Sequence, residues 1–177
     1  NNTSGTEMAR MRALTGGGTF EAFNAFGTEV ATVTFSSEDN GYIGVNSASG
    51  SLLARLTGGS NDGGYLGINN SNEQTAGFIN TNSDGSGNLE LNNANGSTSV
   101  LLTTFNNKGY IANLAANGQV LCSLGSTTDN DGYIRLNNQF GERRANITTN
   151  VNGGGFVGVS DSNGTNRSWL STLNTNV

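Results

Sequence analysis

Residues 41–63 read GYIGVNSASGSLLARLTGGSNDG, and residues 64–86 read GYLGINNSNEQTAGFINTNSDGS. The second line restates the first, and the restatement runs the length of the chain. A Gly followed two residues later by a large apolar residue opens units at Gly18, Gly41, Gly64, Gly87, Gly109, Gly132 and Gly155. The starts are 23 residues apart, except that Gly87 and Gly109 are separated by 22. A second mark falls nine residues after each start, at Gly27, Gly50, Glu73, Gly96, Gly118, Gly141 and Gly164. Residues 1–17 fit as the back half of one more unit, with Gly5 as its mark. The chain therefore divides into a partial repeat at 1–17 and seven repeats over 18–177, and is expected to be a segment of a longer array. A fixed period of this size signals a repeat architecture.

Composition fits turns joined by short strands. The chain has 27 Gly and 29 Asn but no Pro and no His, and only 33% of its residues are apolar. Such polarity can mean disorder, yet a disordered tract keeps no register through seven copies. Asn and Gly tolerate the left-handed backbone of tight turns. The absence of Pro suits a backbone whose amides are committed to ladder hydrogen bonds.

Each half-unit alternates with period two, the mark of a strand with two unlike faces. In the first half, Phe20, Ile43, Leu66, Leu89, Ile111, Ile134 and Val157 are followed two residues on by Ala22, Val45, Ile68, Leu91, Asn113, Leu136 and Val159. Asn113, with Leu114 beside it, predicts a local bulge. In the second half the large set is Met11, Val33, Leu56, Ile79, Leu102, Leu124, Ile147 and Leu170. Two residues before these stand Ala9, Ala31, Ala54, Gly77, Val100, Cys122, Ala145 and Ser168, all small or medium. The stretch TEMARMRAL (6–14) has helical propensity, but its register with the other units predicts a strand.

The expected fold is all-β, with the repeats stacked as a β-solenoid or β-helix rod. A single-chain solenoid would leave Leu53, Phe78, Leu101, Leu121 and Trp169 pointing away from the inward set and wet. Three intertwined chains could bury them and share the thin apolar set, so a homotrimeric fibre is favoured.

The G-Y-I-x-L/V-N-N-x-x-G line resembles the shafts of bacteriophage tail fibres and tailspikes and of related trimeric bacterial adhesins. The opening GTEMARMRAL (5–14) is similar to a line found near the chaperone-bearing ends of tail fibres, although the GNVGIGT expected next is here GGGTFEA. The resemblance implies an extracellular, trimeric fibre on a virion tail or bacterial cell surface, holding a receptor-binding end away from the particle.

Candidate chemistry is sparse. Without His, His-dependent triads and His-ligated zinc are excluded, and the lone Cys122 reads as compact apolar filler. The acidic stretches SEDNG (37–41), SNDGG (60–64), NSDGS (82–86) and TTDNDG (127–132) could suggest calcium. Only Asp129 and Asp131 alternate, however, and no glutamate follows to close a cage, so they read as turns. No cofactor or metal is expected.

The tyrosines recur at one repeat position, as a structural ladder would, where a catalytic site should break the repeat. No enzyme is therefore expected, although a polysaccharide-degrading β-helix using a Tyr with Glu21 or Glu90 is the best enzymatic alternative. The ladder Tyr42, Tyr65, Tyr110, Tyr133 and Phe156, with Asn46, Asn69, Asn92 and Asn137, could instead contact glycans directly. Net charge is −5 with eight scattered Lys and Arg. That argues against nucleic acid, and no apolar run approaches a membrane span. The expected partners are further copies of the chain and, through a distal part, a cell-surface glycan or receptor.

Overall fold

The computed structural model describes residues 1–15, 17–35, 40–59, 63–105, 107–149 and 153–172. Residues 37–39 and 60–62 of the first two acidic stretches lie outside them. The chain is all-β among the described residues and separates into two compact units, Asn1–Gly96 and Ser97–Val177.

The first unit carries β1 (Ala9–Leu14), β2 (Gly17–Phe23), β3 (Glu29–Phe35), β4 (Gly41–Asn46), β5 (Leu52–Gly58), β6 (Gly64–Asn69), β7 (Thr75–Thr81) and β8 (Gly87–Asn92). The second carries β9 (Thr98–Phe105), β10 (Lys108–Leu114), β11 (Val120–Ser126), β12 (Gly132–Asn137), β13 (Arg143–Thr149), β14 (Gly155–Ser160) and β15 (Asn166–Ser171). TEMARMRAL thus contributes a strand.

Within each unit every strand pairs antiparallel with its neighbours in sequence, and strands further apart make no contact. Coil-by-coil stacking would instead set each strand against its equivalent in the next coil. The local reason lies in the turns. Five-residue loops such as Asn24–Thr28 let Asn24 N–H donate to the Thr28 carbonyl and Gly27 N–H donate to the Asn24 carbonyl. The Asn24 Oδ1 also accepts from the amides of Phe26 and Thr28, both at 3.0 Å. Gly27 takes φ +80°, so the loop is a type I turn closed by a glycine bulge, which returns the chain as a hairpin.

The same bonds recur from Asn2, Asn70, Asn138 and Asp161. This accounts for the second glycine of each unit. Glu73 holds that place with φ +61°, a region disfavoured for residues bearing a Cβ.

The bulge expected at Asn113 is present between Asn113 and Leu114. It is not peculiar to that strand: register shifts at Ala22/Phe23, Val45/Asn46, Ile68/Asn69, Leu136/Asn137 and Val159/Ser160 mark the same turn geometry. The short 22-residue interval also has a cause. Phe105 pairs with Lys108 across a two-residue connection, as Leu14 does with Gly17, where the remaining hairpins at this end, such as Thr81 with Gly87, span five.

Register turns the alternation into continuous rows. Met11, Phe20, Val33, Ile43, Leu56, Leu66, Ile79 and Leu89 stand opposite one another in succession across the first unit. Leu102, Ile111, Leu124, Ile134, Ile147, Val157 and Leu170 do so across the second. The flanking row holds the smaller set, with Cys122 opposite Leu136 and Asn113. These rows form one apolar face on each unit, and no described residue covers it. Ile43 is 43% exposed, Leu66 41%, Leu124 50% and Ile147 50%. Among the described residues a single apolar side chain, Ala112, is buried.

Candidate functional site

The opposite face behaves differently because its long side chains lie down on the sheet. In GYIG (41–44) and GYLG (64–67), Tyr and the second Gly are two residues apart on one face. The Tyr42 ring leans over Gly44, and the Tyr65 ring over Gly67, where a Cβ would stand 2.5 Å from Tyr65 Cε1. Phe156 covers Gly158 in the same way.

Register brings further cover from the neighbouring strand. Arg55, opposite Gly44 and Gly67, places its guanidinium 4.7 Å from the Tyr65 ring centre, and Phe78 stacks on the same ring at 5.8 Å. Arg135 lies 4.1 Å from the Tyr133 ring centre. This face consequently buries polar groups: Thr19, Glu21, Asn88, Ser123 and Asn146 are all nearly inaccessible.

Glu21 is satisfied from two sides, by Arg10 Nε and by Arg12 Nη2, the latter at 2.8 Å. The Arg10 hydrogen bond, reinforced by Arg12, holds its carboxyl below the usual carboxylate range despite burial. Glu21 is therefore an acceptor locked to cations, a poor proton donor for glycoside chemistry. Glu90 accepts from Asn88 Nδ2 at 3.0 Å. Asp129 and Asp131 flank a turn, with Asp131 N–H donating to Thr127 Oγ1 at 3.2 Å. Among the described residues no three acidic or thiol side chains gather as a metal site would require.

The predicted Tyr/Asn ladder separates into two rows. Tyr42, Tyr65, Tyr110, Tyr133 and Phe156 are half-buried along the middle of this face. The asparagines stand at the strand ends and are committed to the backbone. Nδ2 of Asn46, Asn69, Asn92 and Asn137 donates to the carbonyls of Glu29, Leu52, Thr75 and Val120, at 3.3, 3.1, 2.8 and 2.8 Å. Each bond reaches back 17 residues to the start of the preceding strand. The Asn row thus reinforces the bulged hairpins, and the aromatic row is left as the candidate contact surface.

That row is irregular at two places: in β7 and β8, where Asn80 and Asn88 stand in the positions of a threonine and a tyrosine, and in β11. Thr57 and Thr148 each stand between two aromatic residues, and Thr34 and Thr103 each face one, Tyr42 and Tyr110. Thr57 stands between Tyr42 and Tyr65, its hydroxyl buried and without a partner among the described residues. In β11 the equivalent residue is Gly125, opposite Tyr133. Tyr110 Cδ2 and Tyr133 Oη approach to 3.2 and 3.1 Å of where its Cβ would stand.

Burial pushes the Tyr110 phenol up, with Tyr133 adding to the effect, while a hydrogen bond with Ser123 opposes it. The two rings separate hollows of about 400 and 460 Å³. The sequence reading missed Gly125, Arg55, Arg135 and Lys108 as members of this surface. Aligning the units would have exposed Gly125 as the one glycine in a row of Thr34, Thr57, Asn80, Thr103, Thr148 and Ser171, and Arg135 as sharing a face with Tyr133 two residues before it.

Against models of known protein families the chain finds no match, and no curated protein matches it.

Proposed function

We propose that this chain is the structural shaft of an extracellular fibre, of the kind found on a phage tail or bacterial cell surface, that holds a receptor-binding end at a distance. Copies of the chain, three in this reading, bury their apolar faces against one another in a stacked rod. The supporting observation is the contrast between faces: one covers itself, while the other leaves its apolar rows open across the width of each unit.

Most of these side chains are about two-fifths to one-half exposed, a contiguous apolar surface of the kind that marks an interaction site. Association supplies the core that the isolated sheet lacks.

Light scattering on the full chain tests this. A mass near three times 18.2 kDa, resistant to detergent until boiled, is expected. A folded monomer would overturn it.

A second reading, an adhesin that touches glycans through its aromatic row, is favoured by the break at Gly125. Where Thr57 and Thr148 stand between rings elsewhere, here the Tyr110 and Tyr133 rings close over a bare glycine, and a hollow lies to either side of them. Glycan binding by the full chain, lost on replacing Tyr110 and Tyr133 together by Ala, is the expected result, and undiminished binding by that variant would overturn it.

A further inference from the structure

We infer that the surface over β11 is a binding groove for an acidic oligosaccharide, with one sugar ring seated against Tyr110 and Tyr133. This inference rests on the adhesin reading above and specifies its site and ligand class. The position where the aromatic row loses its threonine is also where both hollows meet the same two rings. One hollow is walled by Thr103, Lys108, Ser126 and Thr127, the other by Ser123, Arg135, Asn137 and Arg143. The two hollows thus flank the Tyr110 and Tyr133 rings on either side, with Lys108 walling one and Arg135 and Arg143 the other.

The chemistry of the lining selects the ligand. Aromatic faces pack on the C–H faces of a pyranose, and flanking hydroxyls match its hydroxyls, the usual division between apolar walls and a few polar groups in a small-ligand site. Lys108 Nζ donates to the Thr127 and Thr128 carbonyls, the latter at 2.8 Å, leaving one of its three donors uncommitted. The Arg135 guanidinium lies on Tyr133 and has no hydrogen-bond or ion-pair partner among the described residues.

A guanidinium fixed by an aromatic face keeps its donor edges available for a carboxylate, which it can bind in bidentate fashion. Charge distribution agrees. The first unit has nine acidic and three basic residues, the second four acidic and five basic, so the cleft lies in the half with net charge +1 within a chain of −5.

The test is an array bearing uronate- and sialate-containing oligosaccharides beside neutral ones, probed with the full chain and two variants. Gly125→Thr restores the residue that Thr57, Thr103 and Thr148 provide elsewhere, so the strand keeps its pairing while the rings are forced apart. Arg135→Gln removes the charge alone. Binding is expected on acidic spots only, weakened at least tenfold by either variant, with oligomeric mass unchanged in both and melting temperature unchanged in Arg135→Gln.

No binding to any acidic spot would overturn the inference, and so would acidic binding that both variants retain. Binding lost in Tyr42→Ala with Tyr65→Ala but not in Gly125→Thr would overturn this site while leaving the aromatic-row reading standing. The mass measurement reports on the shaft independently of all three.

Discussion

The two faces of each sheet are built from alternate residues of the same strands, yet they meet water in opposite ways. On β6, Leu66 is 41% exposed, whereas Gly67, its neighbour on the other face, is buried beneath Tyr65. The polar face pairs glycine with a long neighbour, Tyr, Arg or Phe, and those side chains fold down as cover. On the apolar face branched aliphatics stand opposite branched aliphatics, and none is long enough to reach across and shield the next. A face made of short apolar groups needs another surface; a face alternating nothing with something long does not.

The largest expected effect breaks this contrast on the open side. Leu66→Asp places a charge in the middle of an apolar row, where burial without a partner is prohibitive. It should abolish self-association as read by light scattering, while Arg55→Gln on the other face of the adjoining strand leaves the mass unchanged. Next, Gly67→Ala attacks the self-covering side. The new methyl would stand 2.5 Å from Tyr65 Cε1, so the ring must lift off Phe78 and Arg55. A cost of about 1–3 kcal/mol, the usual range for overpacking, should appear as a lower urea midpoint.

A smaller change sharpens the comparison by touching neither face. Glu73→Gly relieves the left-handed turn at φ +61° and should raise stability by roughly 1 kcal/mol without altering mass.

The smallest signal is confined to acid. Glu21 has a depressed folded pKa, so its contribution is present above the ordinary carboxylate range and is lost as pH falls through the folded value. Melting temperature should therefore fall below about pH 4, and the fall should be shallower in Glu21→Gln.

The strands and their two unlike faces were legible in the sequence because period-two alternation and the spaced glycines each encode local geometry. The antiparallel pairing of sequence neighbours was not part of the solenoid expectation. Pairing of Ile43 with Leu56 and of Leu66 with Ile79 follows from counting outward from the Gly50 and Glu73 turns. How the strands close was less legible. Alternation says that Ile43 and Tyr42 point oppositely, but not which of the two faces is covered, nor by what.

The asparagine row looked like a recognition surface because Asn46, Asn69, Asn92 and Asn137 share a position. Their amides instead bond carbonyls 17 residues earlier, a partner that appears only once the bulged hairpin is built. Gly125 was visible as a letter, but its meaning depends on Tyr110 and Tyr133 flanking it across two strand pairings.

Because, within each unit and among the described residues, a strand touches only its neighbours in sequence, the fold has few contacts that span long stretches of chain. Low contact order speeds folding, since little loop-closure entropy is spent before a pairing forms. Hairpins close on a microsecond scale, so strands can add one behind another while the chain is still being synthesised. Lengthening such a protein by duplicating one unit would add two hairpin closures and leave every earlier pairing as it was. The number of repeats can thus change in evolution without the rest of the chain having to be redesigned.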